Sequence, residues 1–346
     1  MDFAEIKKNS PIYTPSMVSC ATSPQNVSKN RYTDVLALNS TRVKLGEDER
    51  YINADYLMNG RLIACQAPIP TTVEDFLEMI VQEEPAMVVM LTRCQEGFGV
   101  KATPYWGYAY QNGQAVFGKY TVTTLDTLYP DVKESEYQHD LQIRHLQILE
   151  GNKAYSFVQI HYLGWPDMGV PKHPENLVDL IYAQVLIGAT DTFAKRNTIV
   201  VHCSAGVGRT GVYCILSRII DQVVHSILEK TTFYQAHPRK DTPKIVADID
   251  KAIDKVVDAA LQNEEPVPFS SWETLIPQMI LSMRNERPLM VQKDEQYGFI
   301  FDSLDYFYSH AISVIEQYYE VADALEPLLQ PIHKDVLLEF ISRNQF

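Results

Sequence analysis

The sequence predicts an α/β fold, and two stretches carry this prediction. In the first, the apolar residues 62–68 and 87–91 have the composition of strands, and they flank residues 71–83, whose apolar side chains recur at helical spacing. In the second, a short apolar run at residues 198–201 precedes a glycine-containing loop and a longer apolar run at residues 212–224 that suits a helix. Alternation of strands and helices is typical of a sheet covered by helices.

Further elements are predicted between these two stretches. Residues 108–124 are expected to form two paired strands, with the dipeptide Asn112-Gly113 at a hairpin turn. The remaining predicted elements are two more strands and a helix, at residues 141–149, 156–163 and 174–188.

Three segments lie outside this pattern and define the predicted domain organisation. Residues 1–25 have little periodicity and are expected to be an N-terminal lead-in. The main domain is expected over residues 26–318, interrupted at about residues 226–272 by a mostly helical insertion. We interpret the insertion helix as one packed on the domain, with a partner-binding device as the alternative. Residues 319–346 are expected to form a C-terminal helical extension.

The composition of the whole chain restricts the class of protein. The 346 residues are 46% hydrophobic and carry a formal net charge of −14 at pH 7, which argues against a general binder of nucleic acid or anionic membranes. The five cysteines have neither metal-ligand spacing nor a disulfide-rich pattern. No secretory signal and no apolar run of membrane-spanning length is recognised, so a reducing cytosol is expected.

One stretch, residues 201–211, combines a nucleophile with groups that bind phosphate; it reads Val-His-Cys-Ser-Ala-Gly-Val-Gly-Arg-Thr-Gly. A cysteine at a strand end is usually a small buried hydrophobe. Here, however, backbone N–H groups and a helix N-terminus can form an anion site, and Arg209 offers a planar fork that matches two phosphate oxygens. The same positive surroundings would lower the pKa of Cys203. A thiolate beneath a bound phosphate indicates attack on phosphorus and a cysteinyl-phosphate intermediate.

This stretch resembles, without departure, the signature loop of the classical protein tyrosine phosphatases, which are cysteine-dependent and phosphotyrosine-specific. Four other motifs resemble the same family in the expected order, at residues 29–35, 51–56, 164–171 and 283–292. The resemblance spans about residues 26–309. It implies a highly twisted mixed central sheet flanked by helices, with residues 26–318 as the catalytic domain.

The resemblance also implies a role for the residues that would carry the reaction. Cys203 is the expected nucleophile, Arg209 the phosphate clamp, and Asp167 of the Trp-Pro-Asp motif the acid and then the base. Thr210 would assist breakdown of the cysteinyl-phosphate, and Gln292 would position the hydrolytic water. The phosphate is expected to lie in the loop formed by Ser204, Ala205, Gly206, Val207, Gly208 and Arg209.

Other residues matched by the resemblance line or support the pocket. Tyr32 is expected to wall a deep pocket that phosphotyrosine fills and phosphoserine does not, and Asp34 to accept hydrogen bonds from the substrate backbone. Glu96 is expected to hold the signature arginine and Lys101 to lie beside the acid loop, although two such charges taken alone are more often surface residues. Gln296, four residues after Gln292, is expected to line the substrate site and to act with Gln292 on the water. His202 and Trp165 are expected to be supporting residues.

The sequence therefore predicts a cytosolic protein-tyrosine phosphatase acting on phosphotyrosine-containing proteins. No metal or cofactor is expected, because the thiolate and Arg209 replace a metal in stabilising phosphate charge; no nucleic-acid partner and no transmembrane segment are expected either. Two alternatives stay open: a pseudophosphatase module that binds phosphotyrosine without turnover, and a phosphatase for phosphoinositides or for phosphoserine and phosphothreonine. A bacterial effector acting on signalling in a host cytosol is a further hypothesis. Partner or membrane contacts of the insertion and C-terminal helix stay open.

Overall fold

The computed structural model describes residues 1–108, 111–127, 140–188, 198–228 and 269–325. The strands in these ranges are β1 (Arg42–Leu45), β2 (Arg50–Leu57), β3 (Leu62–Cys65), β4 (Met87–Met90), β5 (Gln95–Glu96), β6 (Gly99–Val100), β7 (Gln114–Phe117), β8 (Tyr120–Thr127), β9 (Leu141–Glu150), β10 (Lys153–Tyr162) and β11 (Ile199–His202). Nine of them form one sheet in the order β1-β2-β3-β11-β4-β10-β9-β8-β7, and β5 and β6 form a separate hairpin.

The centre of the large sheet is parallel, and its outer parts are antiparallel. β11 pairs in parallel with both β3 and β4, and β4 pairs in parallel with β10. Toward the edges, β1 pairs with β2 and β9 pairs with β10 in antiparallel fashion. Central parallel strands are buried on both faces, which explains why β4 and β11 appear in the sequence as continuous apolar runs.

Helices cover both faces of this sheet. Those in the described ranges are α1 (Phe3–Lys8), α2 (Val73–Glu83), α3 (Pro174–Gly188), α4 (Gly208–Leu228), α5 (Phe269–Glu286) and α6 (Asp294–Leu325). The core of α2 packs with Val88 and Val200, whereas Val89 and Val201 belong to the cluster that contains residues of α3, α4, α5 and α6. Adjacent strand residues thus face opposite helical layers. The predicted α/β class, a mixed sheet flanked by helices, is confirmed.

The sequence predicted a hairpin turn at Asn112-Gly113 within residues 108–124, and this prediction is wrong. Asn112 and Gly113 precede β7, and the hairpin turn is formed by Gly118 and Lys119, with Phe117 paired to Tyr120. Both stretches contain residues with positive φ: 71° at Asn112, 65° at Gly113 and 55° at Gly118. The Asn-Gly dipeptide therefore marks a left-handed backbone, but one that enters the hairpin instead of closing it.

The N-terminal residues contain a helix that the sequence pattern did not predict. The Asp2 side chain caps α1 by accepting a hydrogen bond from the Glu5 N–H. Phe3 and Ile6 are buried, and the Phe3 ring stacks on Tyr297 with 5.8 Å between ring centroids. Phe3 and Ile6 therefore belong to the packed core of the described chain.

Two sequence predictions fall partly or wholly on residues that the structure does not describe. The insertion expected at about residues 226–272 is described only at its two ends, residues 226–228 and 269–272, and the C-terminal extension expected at residues 319–346 only up to residue 325. α6 continues through residue 318, the predicted end of the main domain. Among the described helices, none has the length and apolar character needed to cross a membrane.

Candidate active site

The loop between β11 and α4 closes around the sulfur atom of Cys203. This side chain is buried, and the Gly206 N–H donates to its Sγ at 3.2 Å. Gly206 has φ 74°, and a Cβ there would overlap the carbonyl group of Cys65 at the end of β3, so only glycine fits. The Ser204 carbonyl accepts from the Ala67 N–H at 2.9 Å. The neighbouring strand end therefore holds the loop in place.

The surroundings of Cys203 favour its thiolate form. Burial alone would raise the pKa of the thiol, but the Thr210 hydroxyl, the Arg209 charge and the N–H groups of Thr210 and Gly206 act in the opposite direction, and the pKa is lowered overall. Thr210 Oγ1 is buried and makes no hydrogen bond of standard geometry. A nucleophilic sulfur is the result.

Arg209, in the first turn of α4, is held by a carboxylate on the β5–β6 hairpin. Its two terminal nitrogens donate to the two oxygens of Glu96 at 2.5 and 2.8 Å. The Glu96 side chain is 3% exposed and also accepts from the Thr92 hydroxyl at 2.8 Å. A bidentate pair fixes the plane of the guanidinium group before any anion arrives.

The acid loop after β10 lies against the same arginine. Arg209 Nη2 donates to the Pro166 carbonyl at 3.1 Å, and the next residue, Asp167, forms an ion pair with Lys101 Nζ at 3.2 Å. Lys101, through its hydrogen bond and its charge, lowers the pKa of the Asp167 carboxyl. The Asp167 side chain is 47% exposed. Trp165 anchors the loop: it is buried, donates to the Gly169 carbonyl at 3.3 Å and packs edge-on against Phe299.

Tyr32 lies at the side of the cysteine loop. Its hydroxyl is 2.9 Å from Ser204 Oγ, which in turn donates to the Lys101 carbonyl at 2.9 Å. Asp34, two residues later, is exposed. The preceding residue, Arg31, donates to three carbonyls, those of Ala67, Pro68 and Val100. The tyrosine segment is thus tied to both the β3–α2 connection and the β5–β6 hairpin.

Two glutamines approach the cysteine loop from the opposite side. A Cβ at Gly208 would lie 2.8 Å from Gln296 Nε2 and 3.1 Å from Gln292 Oε1. Gln296 Oε1 accepts from the Gln292 N–H at 2.9 Å, and the Val291 N–H donates to the Val207 carbonyl at 3.0 Å. Val291 has φ 56°, a left-handed conformation that is costly for a β-branched residue and that occurs mainly at functional sites.

His202, the residue before Cys203, is a structural group. Its Nδ1 lies 3.0 Å from the Cys203 carbonyl, and its Nε2 lies 3.1 Å from the Tyr105 hydroxyl. Burial lowers its pKa to about 4, so the ring is neutral near pH 7. A neutral ring with both nitrogens engaged fixes the backbone at the sulfur. His161 is also buried, with Nε2 2.8 Å from the Thr92 carbonyl.

The back of the loop rests on a buried cation whose role the sequence did not suggest. Arg287 donates to the Gly206 carbonyl at 2.8 Å and to the Ala205 carbonyl at 3.0 Å. It also forms a 2.6 Å ion pair with Asp55, and both side chains are completely buried. Nη2, the nitrogen that donates to the Ala205 carbonyl, also donates to the Asn53 amide oxygen at 2.9 Å. With their carbonyls bound behind the loop, its N–H groups are free to face the sulfur side.

All the residues proposed from the sequence for the loop, its arginine and its acid thus lie together at the carboxyl end of β11. A buried thiol of lowered pKa, a clamped arginine six residues later and a carboxylate on a facing loop are the arrangement of a cysteine-dependent phosphatase domain. A family model described as protein-tyrosine phosphatase matches residues 26–251, more than half of the chain, and the chain belongs to this family.

Curated relatives carry names of the same family. The chain is 37% identical over 203 residues to human tyrosine-protein phosphatase non-receptor type 4, a match that covers 56% of this chain and 21% of that protein. It is 32% identical over 232 residues to tyrosine-protein phosphatase 1 of Dictyostelium discoideum, covering 61% of this chain and 43% of the relative. The chain therefore matches less than half the length of either relative.

A solved structure has the same fold. The catalytic domain of human protein tyrosine phosphatase non-receptor type 18 superposes with a TM-score of 0.62 at 24% sequence identity. The superposition covers 88% of this chain and 94% of that domain. At this identity the similarity defines the fold and leaves the details of substrate choice to the site itself.

Proposed function

We propose that this chain is a protein-tyrosine phosphatase that hydrolyses phosphotyrosine in proteins through a cysteinyl-phosphate intermediate. The observation that carries the proposal is a buried sulfur that accepts from the Gly206 N–H in a loop whose arginine is clamped by Glu96. Its expected partner is a phosphotyrosine-containing protein. The thiolate and the guanidinium group supply the nucleophile and the charge stabilisation that the reaction needs.

In the first step, the phosphate of the substrate lies in the loop of residues 203–209 with two of its oxygens on the Arg209 fork. Cys203 Sγ attacks phosphorus from the side opposite the tyrosyl oxygen, the sulfur–phosphorus bond forms and the phosphorus–oxygen bond breaks. The electron pair of that bond leaves with the phenolate oxygen, and Asp167 donates the proton that this oxygen takes up. The hydrogen bond from Arg209 to the Pro166 carbonyl supports this role, because it holds the acid loop beside the arginine that would bind the phosphate.

The ionisation of Asp167 must change when substrate binds. Lys101 keeps its pKa low in the free protein, so the carboxyl is ionised near neutral pH. A phosphate dianion placed beside it favours the protonated form, since like charges repel at short range. Substrate binding therefore converts the carboxylate into the acid that the first step requires.

In the second step, water attacks the cysteinyl-phosphate. Gln292 and Gln296 lie against Gly208 and can accept from and donate to that water without competing as nucleophiles. Asp167, now ionised, accepts the proton of the water; the new phosphorus–oxygen bond forms and the phosphorus–sulfur bond breaks. The Thr210 hydroxyl and the loop N–H groups stabilise the departing thiolate.

The proposed setting and the proposed domain boundaries follow from the same site. A catalytic thiolate survives in a reducing compartment, so we place the activity in a cytosol, and delivery into a host cell by a bacterial producer is the narrower hypothesis. The catalytic domain is proposed to span residues 26–318 with an insertion near residues 226–272, between an N-terminal lead-in and a C-terminal extension. In support, the site residues named above fall between 32 and 296.

The test is phosphate release from a phosphotyrosine peptide in reducing buffer with a metal chelator. We expect turnover by the wild type, none by Cys203→Ser, and a rate lowered by about 100-fold or more in Asp167→Ala. Cys20→Ser and Asp302→Ala serve as matched controls and retain the wild-type rate. Binding of the peptide without turnover by the wild type would support the pseudophosphatase alternative. Faster hydrolysis of phosphoserine, phosphothreonine or phosphoinositide than of phosphotyrosine would support a phosphatase for those substrates.

A further inference from the structure

The β5–β6 hairpin exposes two large apolar side chains. Phe98, at its tip, is fully exposed, and Val100 is 65% exposed. Neither belongs to a buried cluster, so these side chains contribute little to the core. Leaving such surface in water costs roughly 25 cal/mol per Å², which makes a contact with an apolar partner favourable.

The hairpin lies at the rim of the cysteine pocket, between the tyrosine segment and the acid loop. On one side, Arg31, the neighbour of Tyr32, donates to the Val100 carbonyl at 3.1 Å. On the other side, a Cβ at Gly97 would lie 3.6 Å from Asp167 Oδ2. The base of the hairpin carries Glu96, which clamps Arg209. A peptide that brings a phosphotyrosine to Cys203 must therefore pass close to this rim.

The charges around the rim favour an apolar neighbour over an acidic one. Three N–H groups of Arg31 donate to carbonyls of the chain, and Lys101 is paired with Asp167. Asp34 is exposed on the tyrosine segment, and the whole chain has a net charge of −14. An acidic residue beside the phosphotyrosine would meet the Arg31 charge, but also Asp34 and the repulsive field of the chain, whereas an apolar residue meets no such repulsion.

We propose that Phe98 and Val100 form a docking surface for a bulky apolar side chain of the substrate, within a few residues of the phosphotyrosine. This inference rests on the proposed function, and it names the class of substrate: phosphotyrosine in an apolar sequence context. The surface acts on recognition, so it raises kcat/KM for peptides that reach it and leaves small phosphate esters unaffected.

The experiment compares phosphotyrosine peptides that carry one leucine, or one glutamate, at each position from −3 to +3 in a serine–glycine background. Wild type, Phe98→Ser and the double variant Phe98→Ser/Val100→Thr are assayed. Val116→Ser, on β7, is the control, because it removes an apolar side chain about as exposed as Val100. Para-nitrophenyl phosphate, which has no flanking residues, reports on basal activity.

For wild type we expect kcat/KM to be about five- to tenfold higher with leucine than with glutamate at one or two positions. The double variant should lose that preference through KM and keep its activity on para-nitrophenyl phosphate, and Val116→Ser should behave as wild type. Equal loss on all substrates would indicate a structural role and overturn the inference. So would a wild type that turns over all peptides alike. If wild type hydrolyses no phosphotyrosine at all, the proposed function itself fails.

Discussion

Two arginines hold the two sides of the cysteine loop, and they differ in what surrounds them. Arg209 points into the pocket, retains 13% exposure and is fixed by Glu96. Arg287 lies behind the loop with no exposed surface and is balanced by Asp55. A cation that will meet a phosphate must remain accessible, whereas a cation that shapes the backbone is better removed from water and paired.

Replacing Arg287 tests whether the buried cation shapes and stabilises the backbone behind the loop. In Arg287→Met, Asp55 is left buried without its partner, so we expect the free energy of unfolding to fall by about 3–5 kcal/mol. The additional change Asp55→Leu should restore part of that loss, because the pair is then replaced by apolar groups. Urea denaturation of the two variants and the wild type measures the difference. A single variant within about 1 kcal/mol of wild type would contradict the buried-pair interpretation.

Lys101 offers a residue-level test of the acid. It is the main cause of the low pKa of Asp167, so Lys101→Met should allow that pKa to rise. Protonated Asp167 is lost as the pH rises through its pKa; the alkaline fall of kcat/KM should therefore move to higher pH in the variant. A pH–rate profile measures this shift. Lys119→Met, which removes an ion pair with Glu150, is the matched control; a shift of equal size there would exclude the proposed cause.

Among the secondary-structure elements, α3 contains a carboxyl group that opposes stability at neutral pH. Asp179 is buried, and burial, with a smaller contribution from Glu175, raises its pKa to about 7. Its raised pKa means that the folded chain binds a proton more tightly than the unfolded chain. Stability from this group is therefore present below pH 4 and is lost as the pH rises to about 7.

The prediction for α3 follows from that sign. Between pH 4 and pH 7, ionisation of Asp179 should lower the unfolding free energy of the wild type by up to about 4 kcal/mol. Asp179→Asn, which cannot ionise, should not show this decrease. Urea denaturation at half-unit pH intervals measures the slope for the variant and the wild type. Glu175→Gln is the control and should reduce the slope only slightly. Parallel slopes in wild type and Asp179→Asn would refute the assignment.

The elements also differ in how well the sequence predicts them. α2 was predictable because Val73, Phe76, Leu77 and Ile80 recur at helical spacing, and all four are buried. α1 was not, since a six-residue helix offers only Phe3 and Ile6 as its apolar signal.

In the candidate site, too, some residues could be predicted from the sequence and others could not. The loop at residues 203–209 is local, so its chemistry can be inferred from adjacent residues. The role of Arg287 depends on an ion pair with Asp55, 232 positions away, and nothing in the local pattern predicts it. The grouping of Glu96 and Lys101 with the loop came from the family resemblance; their spacing alone does not distinguish them from surface charges.

In the molecule as a whole, the N-terminal segment is connected to the glutamine loop. Arg284 donates to Ser10 Oγ at 2.6 Å, to the Met290 carbonyl at 2.9 Å and to the Val291 carbonyl at 2.6 Å. Tyr13 in turn donates to the Arg284 carbonyl at 2.5 Å. Residues 10 and 13 thus contact Arg284, which supports the backbone that precedes Gln292, the residue proposed to hold the water.

Deleting residues 1–13 should therefore slow the second chemical step more than the first. We expect kcat to fall several-fold and the cysteinyl-phosphate to accumulate, because the loop before Gln292 loses two supports. Rapid-quench measurement of phosphoenzyme, with a leaving-group burst, separates the two steps. Ile12→Ser, at an exposed position in the same segment, is the control. A deletion that slows both steps equally would show that the segment contributes only to overall stability.

The position of β11 in the sheet has a consequence for how the molecule is made. β11 lies between β3 and β4, yet it is synthesised more than 100 residues after β4. Until it arrives, β3 and β4 have no shared neighbour, and their facing edges are unpaired and open to wrong partners. Because Cys203, the proposed nucleophile, follows β11 directly, the loop of residues 203–209 cannot take its place before that gap is closed. We therefore expect no activity from a chain whose sheet is incomplete, and the return of turnover during refolding cannot precede this long-range pairing step.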